Sequence, residues 1–348
     1  MPKVLVLSFN SEADISGPYH QNLVNAIYEV SDVVIYGPGY PNYKNDDSIN
    51  DVFKKLNISE DCIDAIIVTT SWENQDEMIE ESDPHPNICL KDVSKCKKVF
   101  FLNKEYKKLE KKLEYIKKNK FDVVLTVLPK ERYAEWESYT GVKFIQSHFG
   151  IDLNQFRDLG LKRKYDFTFT GALHERYTNQ RVNVKKELFR KMGLTSNKGL
   201  VRVLHWKNPI SKPYRKFDIY WAEWGKWSRD LSGKSLLPSG EDYVKLMNQS
   251  KTFLCTLSAE GIFGTRFFEL MACGSLIICP KGDYYGILRD GENCIMYKED
   301  MSDFYDKLNM LIENDNLRLK ITEQAKTEVL EHSYVNRIKK LYKILELN

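Results

Sequence analysis

The sequence predicts an α/β protein made of two doubly wound halves, each a parallel sheet flanked by helices. Three observations carry this. At 348 residues the chain is longer than one hydrophobic core commonly supports, so two domains are expected. Short runs that are apolar at every position recur along both halves, and such strands suit a parallel sheet covered on both faces. Between the runs lie stretches with helical spacing of apolar residues, which makes the alternation one of βαβ units.

In order, Val4-Leu-Val-Leu7 reads as the first strand. A polar loop with Gly17, a helical pattern over 19–30 and the run Val33-Val-Ile-Tyr36 follow, and the run stops at the turn Gly37-Pro-Gly39. Residues 65–68, 98–102 and 123–127 extend the sheet. Within 104–118, Tyr106, Leu109, Leu113 and Ile116 recur at helical spacing, and the lysines between them are expected on a solvated outer face. Residues 141–146 close the first half, and the polar stretch 158–164 marks the connection. The second half is read as strand 165–170, helix 178–192, strand 201–204, helix 240–249, strand 252–256, helix 265–273 and strand 276–279, with helices from 300 to 347. Ser239 stands where a hydroxyl caps the helix after it, and Gly274 where a left-handed residue ends the helix before it. The expected domains are 1–160 and 161–330, with 331–348 as a terminal helix.

Composition narrows the function classes. The apolar share of 42% and charged share of 29% are those of a globular protein, and no stretch approaches the roughly 18 apolar residues of a membrane span. The first residues read as a strand, not a secretory signal, so a cytoplasmic location is expected, with peripheral membrane contact left open. A net charge of +3 lends no support to nucleic-acid binding. Seven cysteines without a Cys-x-x-Cys pair read as reduced thiols, mostly in the core. The six histidines are scattered and no Asp-x-Asp pair occurs, so no metal site is expected.

The informative stretch runs from Ser258 to Cys279. A buried strand ends near Leu257, a glycine-bearing loop follows, and a helix begins near Gly264, which sets backbone amides at the carboxyl end of a parallel sheet. Gly264, Thr265 and Arg266 would then meet a diphosphate, with Arg266 as a charged clamp and Glu269 as acceptor for ribose hydroxyls. The competing reading pairs Arg266 with Glu269 on the surface at i,i+3.

Phe268-Glu-Leu-Met-Ala-Cys-Gly-Ser-Leu-Ile-Ile278 resembles the Glu-Ala-Met-Ala-Cys-Gly-x-Pro-Val-Ile segment of family 4 glycosyltransferases and the related spore-maturation group. Gly291-Glu-Asn-Cys-Ile-Met-Tyr297 resembles the family's Asp-Gly-x-Asn-Gly turn, with Cys294 in place of glycine. Residues 145–156 resemble its interdomain segment, Phe169-Thr-Gly171 the strand opening its nucleotide domain, and Gly17 its N-terminal glycine loop. The resemblance implies a GT-B fold: two Rossmann-like domains facing across a cleft, with a last helix crossing back to the first. It implies a nucleoside-diphosphate-sugar donor, an acceptor of unknown kind, a retaining and metal-independent reaction, and no cofactor. Glu269 takes the place of the family's ribose-binding glutamate. The family's other glutamate falls at Gly261, beside Glu260, and Ala172 replaces its diphosphate arginine, so Arg176, Arg181 or Arg266 is left to supply the cation. His20, just after the Gly17 loop, is the candidate catalytic group facing donor or acceptor, against the plainer reading of a core histidine; Glu105, Asp83 and His85 are weaker candidate bases. Trp206, Trp221, Trp224 and Trp227 suit either sugar stacking or packing. Two other functions remain open: a sugar-nucleotide epimerase of the same fold, and a non-catalytic nucleotide-sugar-binding or scaffold protein.

Overall fold

A computed structural model describes residues 1–10, 18–72, 83–171, 179–192, 219–223, 238–258 and 261–347. The chain divides into two compact units, 1–152 together with 333–348, and 153–332.

The first unit runs β1 (Lys3–Leu7), α1 (Pro18–Val30), β2 (Asp32–Tyr36), α2 (Ile49–Leu56), β3 (Ala65–Val68), β4 (Lys97–Phe101), α3 (Leu109–Asn119), β5 (Val123–Thr126), α4 (Lys130–Thr140) and β6 (Lys143–Gln146). Its six strands are all parallel in the order β2-β1-β3-β4-β5-β6, with Val4 opposite Ala65 and Val99 opposite Val123. The apolar runs are continuous because alternate residues serve opposite faces. Leu5, Leu7, Ile66 and Val68 pack under α2 and α3, whereas Val4, Val6, Ala65 and Ile67 pack under α1. Ser48 and Asp51 close a capping box at the start of α2.

The helix expected over 104–118 begins later, at Leu109. Lys104 and Lys108 hold positive φ and Tyr106 is exposed, so the turn before α3 is not helical. One of its lysines is not solvated. Lys112 is fully buried, and its ammonium donates to the carbonyls of Asn103 and Lys104 at 2.9 Å each. Those two carbonyls, which lie before the first turn of α3, are what make a buried ammonium tolerable there.

The second unit runs β7 (Tyr165–Gly171), α5 (Asn179–Met192), β8 (Ile219–Glu223), α6 (Gly240–Asn248), β9 (Ser250–Leu254), α7 (Thr265–Ala272), β10 (Leu276–Pro280), β11 (Ile295–Tyr297), α8 (Phe304–Glu313) and α9 (Asp315–Val329). Its strands are parallel in the order β11-β10-β9-β7-β8. The strand expected at 201–204 lies outside the described residues. β8 is an element the sequence reading left unassigned. Its Trp221 is buried against Phe169, ring centroids 4.5 Å apart, so this member of the tryptophan group packs in the core. Ser239 has the extended backbone of an N-cap, but its hydroxyl makes no capping bond; its carbonyl accepts from Asp242 and Tyr243 instead.

The division after Asp152 falls earlier than the boundary expected at 160. Residues 157–164 are irregular yet belong to the second unit, because the Asn248 side chain bonds both the Leu159 amide and the Arg157 carbonyl. Arg163 adds bonds of 3.1 Å to the carbonyls of Met247, Ser250 and Cys273. The last helix, α10 (Tyr334–Leu345), packs on the first unit, where Ile338, Leu341 and Tyr342 join the α1 face of the sheet. Among the described residues no helix is long and apolar enough to cross a membrane.

Candidate functional site

In the second unit β7 lies between β8 and β9, so the strand sequence reverses direction at β7/β9. Chains leaving these two strands diverge to opposite sides, and the crevice at their carboxyl ends is where open parallel sheets bind ligands. β7 ends in Thr170 and Gly171, and β9 leads through Cys255 to the loop before α7.

Local chemistry sets where α7 starts and stops. Gly264 is its N-cap, and Phe263 packs edge-on to Phe268 at 5.0 Å, a staple across the first turn. Phe267, Phe268, Leu270 and Met271 are buried, which fixes the helix's rotation. Gly274 has φ +66°, and the Gly274 and Ser275 amides return to the carbonyls of Met271 and Leu270. The left-handed stop expected at Gly274 is present.

That rotation sends Arg266 toward β7. Its Nε donates to the Tyr243 hydroxyl on α6 at 2.9 Å and its Nη1 to the Thr170 carbonyl at 2.5 Å. Nη2 has no hydrogen bond, and Arg266 no ion pair, among the described residues. A Cβ on Gly171, at φ +138°, would stand 2.9 Å from Nη1, so the arginine occupies the space that a side chain there would need. Burial works against the Arg266 charge, but Tyr243, Cys255 and Glu269 around it leave its pKa above the ordinary value. Burial pushes the Cys255 thiol up to about 12, so it is neutral here.

Glu269 is 7% exposed, and burial raises its pKa against the opposing effects of Thr265, Arg266 and Tyr243. The surface ion pair between Arg266 and Glu269 is therefore not what forms. One is half-buried, the other buried, and no salt bridge joins them. Arg181, on α5, donates from Nη2 to the Leu257 carbonyl at 3.1 Å, and its pKa is lowered by burial and then by the neighbouring Arg266 charge. Two guanidinium groups thus meet at the carboxyl ends of β7 and β9, with Glu269 a helical turn from one of them. The Thr170 hydroxyl, buried and without a hydrogen-bond partner among the described residues, adds a further polar atom at the end of β7.

Gly171, Arg181, Gly264, Thr265, Arg266 and Glu269 are brought to this end of the sheet. Gly17, Arg176 and Glu260 lie outside the described residues. His20 belongs to the first unit, where it is fully buried on α1 with Nδ1 2.6 Å from the Thr70 hydroxyl and its ring 3.9 Å from that of Tyr19. Tyr243 and Thr170 were not singled out from the sequence. Nothing local marks Tyr243, whose hydroxyl reaches Arg266 from α6. Among the described residues no three His, Cys, Asp or Glu side chains gather as a metal-binding group.

Residues 201–343 match the family model described as glycosyl transferase-like. The whole chain shares its fold with sucrose-phosphate synthase from Thermosynechococcus elongatus, at 11% identity and TM-score 0.55, over 99% of both chains. It likewise matches Anabaena Alr3699/HepE in complex with UDP and glucose, at 12% identity and TM-score 0.55, over 99% of this chain and 100% of that one. A third match is AviGT4, a glycosyltransferase involved in avilamycin A biosynthesis, at 11% identity and TM-score 0.51, over 99% and 97% of the chains. A search of curated proteins finds no match. The fold is GT-B, and both findings agree with the resemblance drawn from residues 268–278.

Proposed function

We propose that this GT-B chain is a glycosyltransferase that takes a sugar from a nucleoside-diphosphate donor held at the carboxyl ends of β7 and β9. One observation carries the reading: Arg266 is fixed by Tyr243 and Thr170, faces a second cation in Arg181, and has no carboxylate paired with it among the described residues. A diphosphate matches both the charge and the fork geometry of such a pair of guanidinium groups.

In this reading Glu269 accepts hydrogen bonds from ribose hydroxyls. The donor's anomeric C–O bond breaks with its electron pair leaving on the diphosphate, and the acceptor hydroxyl oxygen forms the new bond. The acceptor's proton passes to the departing phosphate oxygen, so no separate base is required and configuration is retained. Arg266 and Arg181 meet the growing negative charge of the leaving group, without a metal or other cofactor, and preorganised charge of this kind is commonly the largest single contribution to the rate. Because Alr3699/HepE carries UDP and glucose, UDP-glucose is the first donor to test.

The experiment incubates the protein with labelled UDP-, GDP- and ADP-sugars and follows both binding and donor hydrolysis. Binding with hydrolysis or transfer is expected for at least one donor. Failure of every donor to bind overturns the reading; an epimerised donor as sole product replaces it with the isomerase, and binding without turnover of any kind with the scaffold.

A further inference from the structure

Arg266 is held by two acceptors, and both are neutral: the Thr170 carbonyl and the Tyr243 hydroxyl. A carboxylate in either place would fix the guanidinium equally well and cancel its charge. Neutral acceptors fix it and leave the charge for a ligand. Of the two, only the hydroxyl depends on the choice of side chain, since every residue of β7 has a carbonyl.

α6 gives that hydroxyl a fixed place. Val244, Leu246 and Met247 are buried, which sets the rotation of the helix, and the Tyr243 ring is half-buried. Burial raises the Tyr243 pKa, so the phenol keeps its proton at neutral pH. A phenol oxygen that accepts from Arg266 still has that proton to give. Glu269 feels it: the Tyr243 hydroxyl favours the ionised carboxylate, against the burial that raises the Glu269 pKa. One hydroxyl thus acts on a cation and a carboxyl that stand three residues apart on α7.

We infer that Tyr243 is a positioning residue of the donor site: its hydroxyl accepts from Arg266 and donates to Glu269, and so sets the diphosphate clamp and the ribose acceptor in one register. The roles of Arg266 and Glu269 toward a donor rest on the glycosyltransferase reading above; the hydroxyl's link between them does not.

The test replaces Tyr243 by phenylalanine, which keeps the ring and removes only the hydroxyl, and reads each end of the link. The Glu269 end needs no ligand. Glu269 is faced by Arg266 and Cys273 of its own helix, by Tyr243 from α6 and by Cys255 directly after β9. Among the described residues no group on α9 or β10, which also pack on α7, acts on it. Burial pushes both thiols up to about 12, so of these groups only Glu269 changes charge between about pH 4 and 8. Urea unfolding over that interval compares wild type with Glu269→Gln, and Tyr243→Phe with the Tyr243→Phe, Glu269→Gln double variant. The stability that protonated Glu269 contributes is lost as pH rises through its raised pKa, and without the hydroxyl that pKa rises further. The midpoint of the loss should therefore lie at least about half a pH unit higher in Tyr243→Phe.

The Arg266 end is read by calorimetric titration with UDP. Tyr243→Phe should weaken UDP by about tenfold. Tyr243→Phe combined with Arg266→Met should bind within about threefold of Arg266→Met alone, because the hydroxyl acts largely through the guanidinium. UDP affinity of Tyr243→Phe within twofold of wild type overturns the inference, as do losses that multiply in the double variant, or an unfolding midpoint that stays or falls. Should Tyr243→Phe fail to fold, Tyr243→Met takes its place in both measurements. Absence of UDP binding by the wild-type chain overturns the donor reading alone, and the unfolding midpoint then decides whether Tyr243 links the two residues.

Discussion

Replacing Arg266 by methionine keeps the length of the side chain and removes its charge and all five donors. Two consequences can be sized separately. The Tyr243 hydroxyl and the Thr170 carbonyl lose their bonds of 2.9 and 2.5 Å, and each hydrogen bond to a charged partner is worth about 1.5–3 kcal/mol when the acceptor is left buried. Part of this returns, because the variant no longer holds a half-buried charge beside Arg181, so a net loss of about 1–2 kcal/mol in unfolding free energy is expected. The effect on UDP affinity is larger and independent of that. Loss of a charge-assisted fork on the diphosphate is worth about 2–3 kcal/mol, or roughly 30- to 150-fold in Kd. Arg266→Lys keeps the charge without the fork and should fall between. The assay is calorimetric titration with UDP at fixed ionic strength, alongside urea unfolding of the same variants. UDP affinity of folded Arg266→Met within threefold of wild type would refute the reasoning, whatever the change in stability.

Three further predictions follow from the same geometry. Burial raises the Glu269 pKa, so the folded state favours its protonated form: the stability this contributes is complete below the ordinary carboxylate value of about 4.3 and is lost as pH rises through the raised one. Denaturation from about pH 4 to pH 8 should show the wild-type chain losing stability relative to Glu269→Gln as pH rises, while its UDP affinity increases over the same interval; parallel curves would count against a buried, titrating Glu269. Gly171→Ala places a Cβ 2.9 Å from Arg266 Nη1 at φ +138°, so UDP binding should weaken by about tenfold with little more than about 1 kcal/mol lost in stability, measured by the same titration and unfolding. Gly274→Ala, at φ +66°, puts a Cβ 2.8 Å from Nη2 of Arg163, whose guanidinium is held by two carbonyl bonds from Nη1 and one from Nη2; it should cost about 1–3 kcal/mol in urea unfolding and leave UDP affinity of the folded fraction unchanged.

What was legible in the sequence follows from how local its cause is. The strands were readable because a parallel strand covered on both faces needs an apolar residue at every position, as Val4, Leu5, Val6 and Leu7 show by serving two different cores. α7 was readable because its stop, Gly274, and its buried stripe lie within one segment. Short α2 was not. It has eight residues, and its start is marked by Ser48 with Asp51 where the commoner box has glutamate or glutamine. α4 buries only Tyr133 and Thr140, too few for a periodic signal.

The candidate site divides along the same line. Arg266 and Glu269 stand three residues apart on one helix, so their joint role could be guessed from spacing, and only the fold decides between a surface pair and two separate ligands. The fold decides against the pair by supplying Arg266 with other partners. Those partners, Tyr243 on α6 and the Thr170 carbonyl on β7, lie 23 and 96 residues away. Neither has a side-chain pattern of its own, because one acts through a hydroxyl that any core tyrosine carries and the other through its backbone. Lys112 makes the same point from the opposite direction. Its neighbours in sequence describe a solvated lysine face, and the carbonyls of Asn103 and Lys104 satisfy its ammonium in the interior. Charge clusters in this chain are therefore read correctly only once the acceptors that satisfy them are known, and for Arg266 Nη2 the described residues supply none.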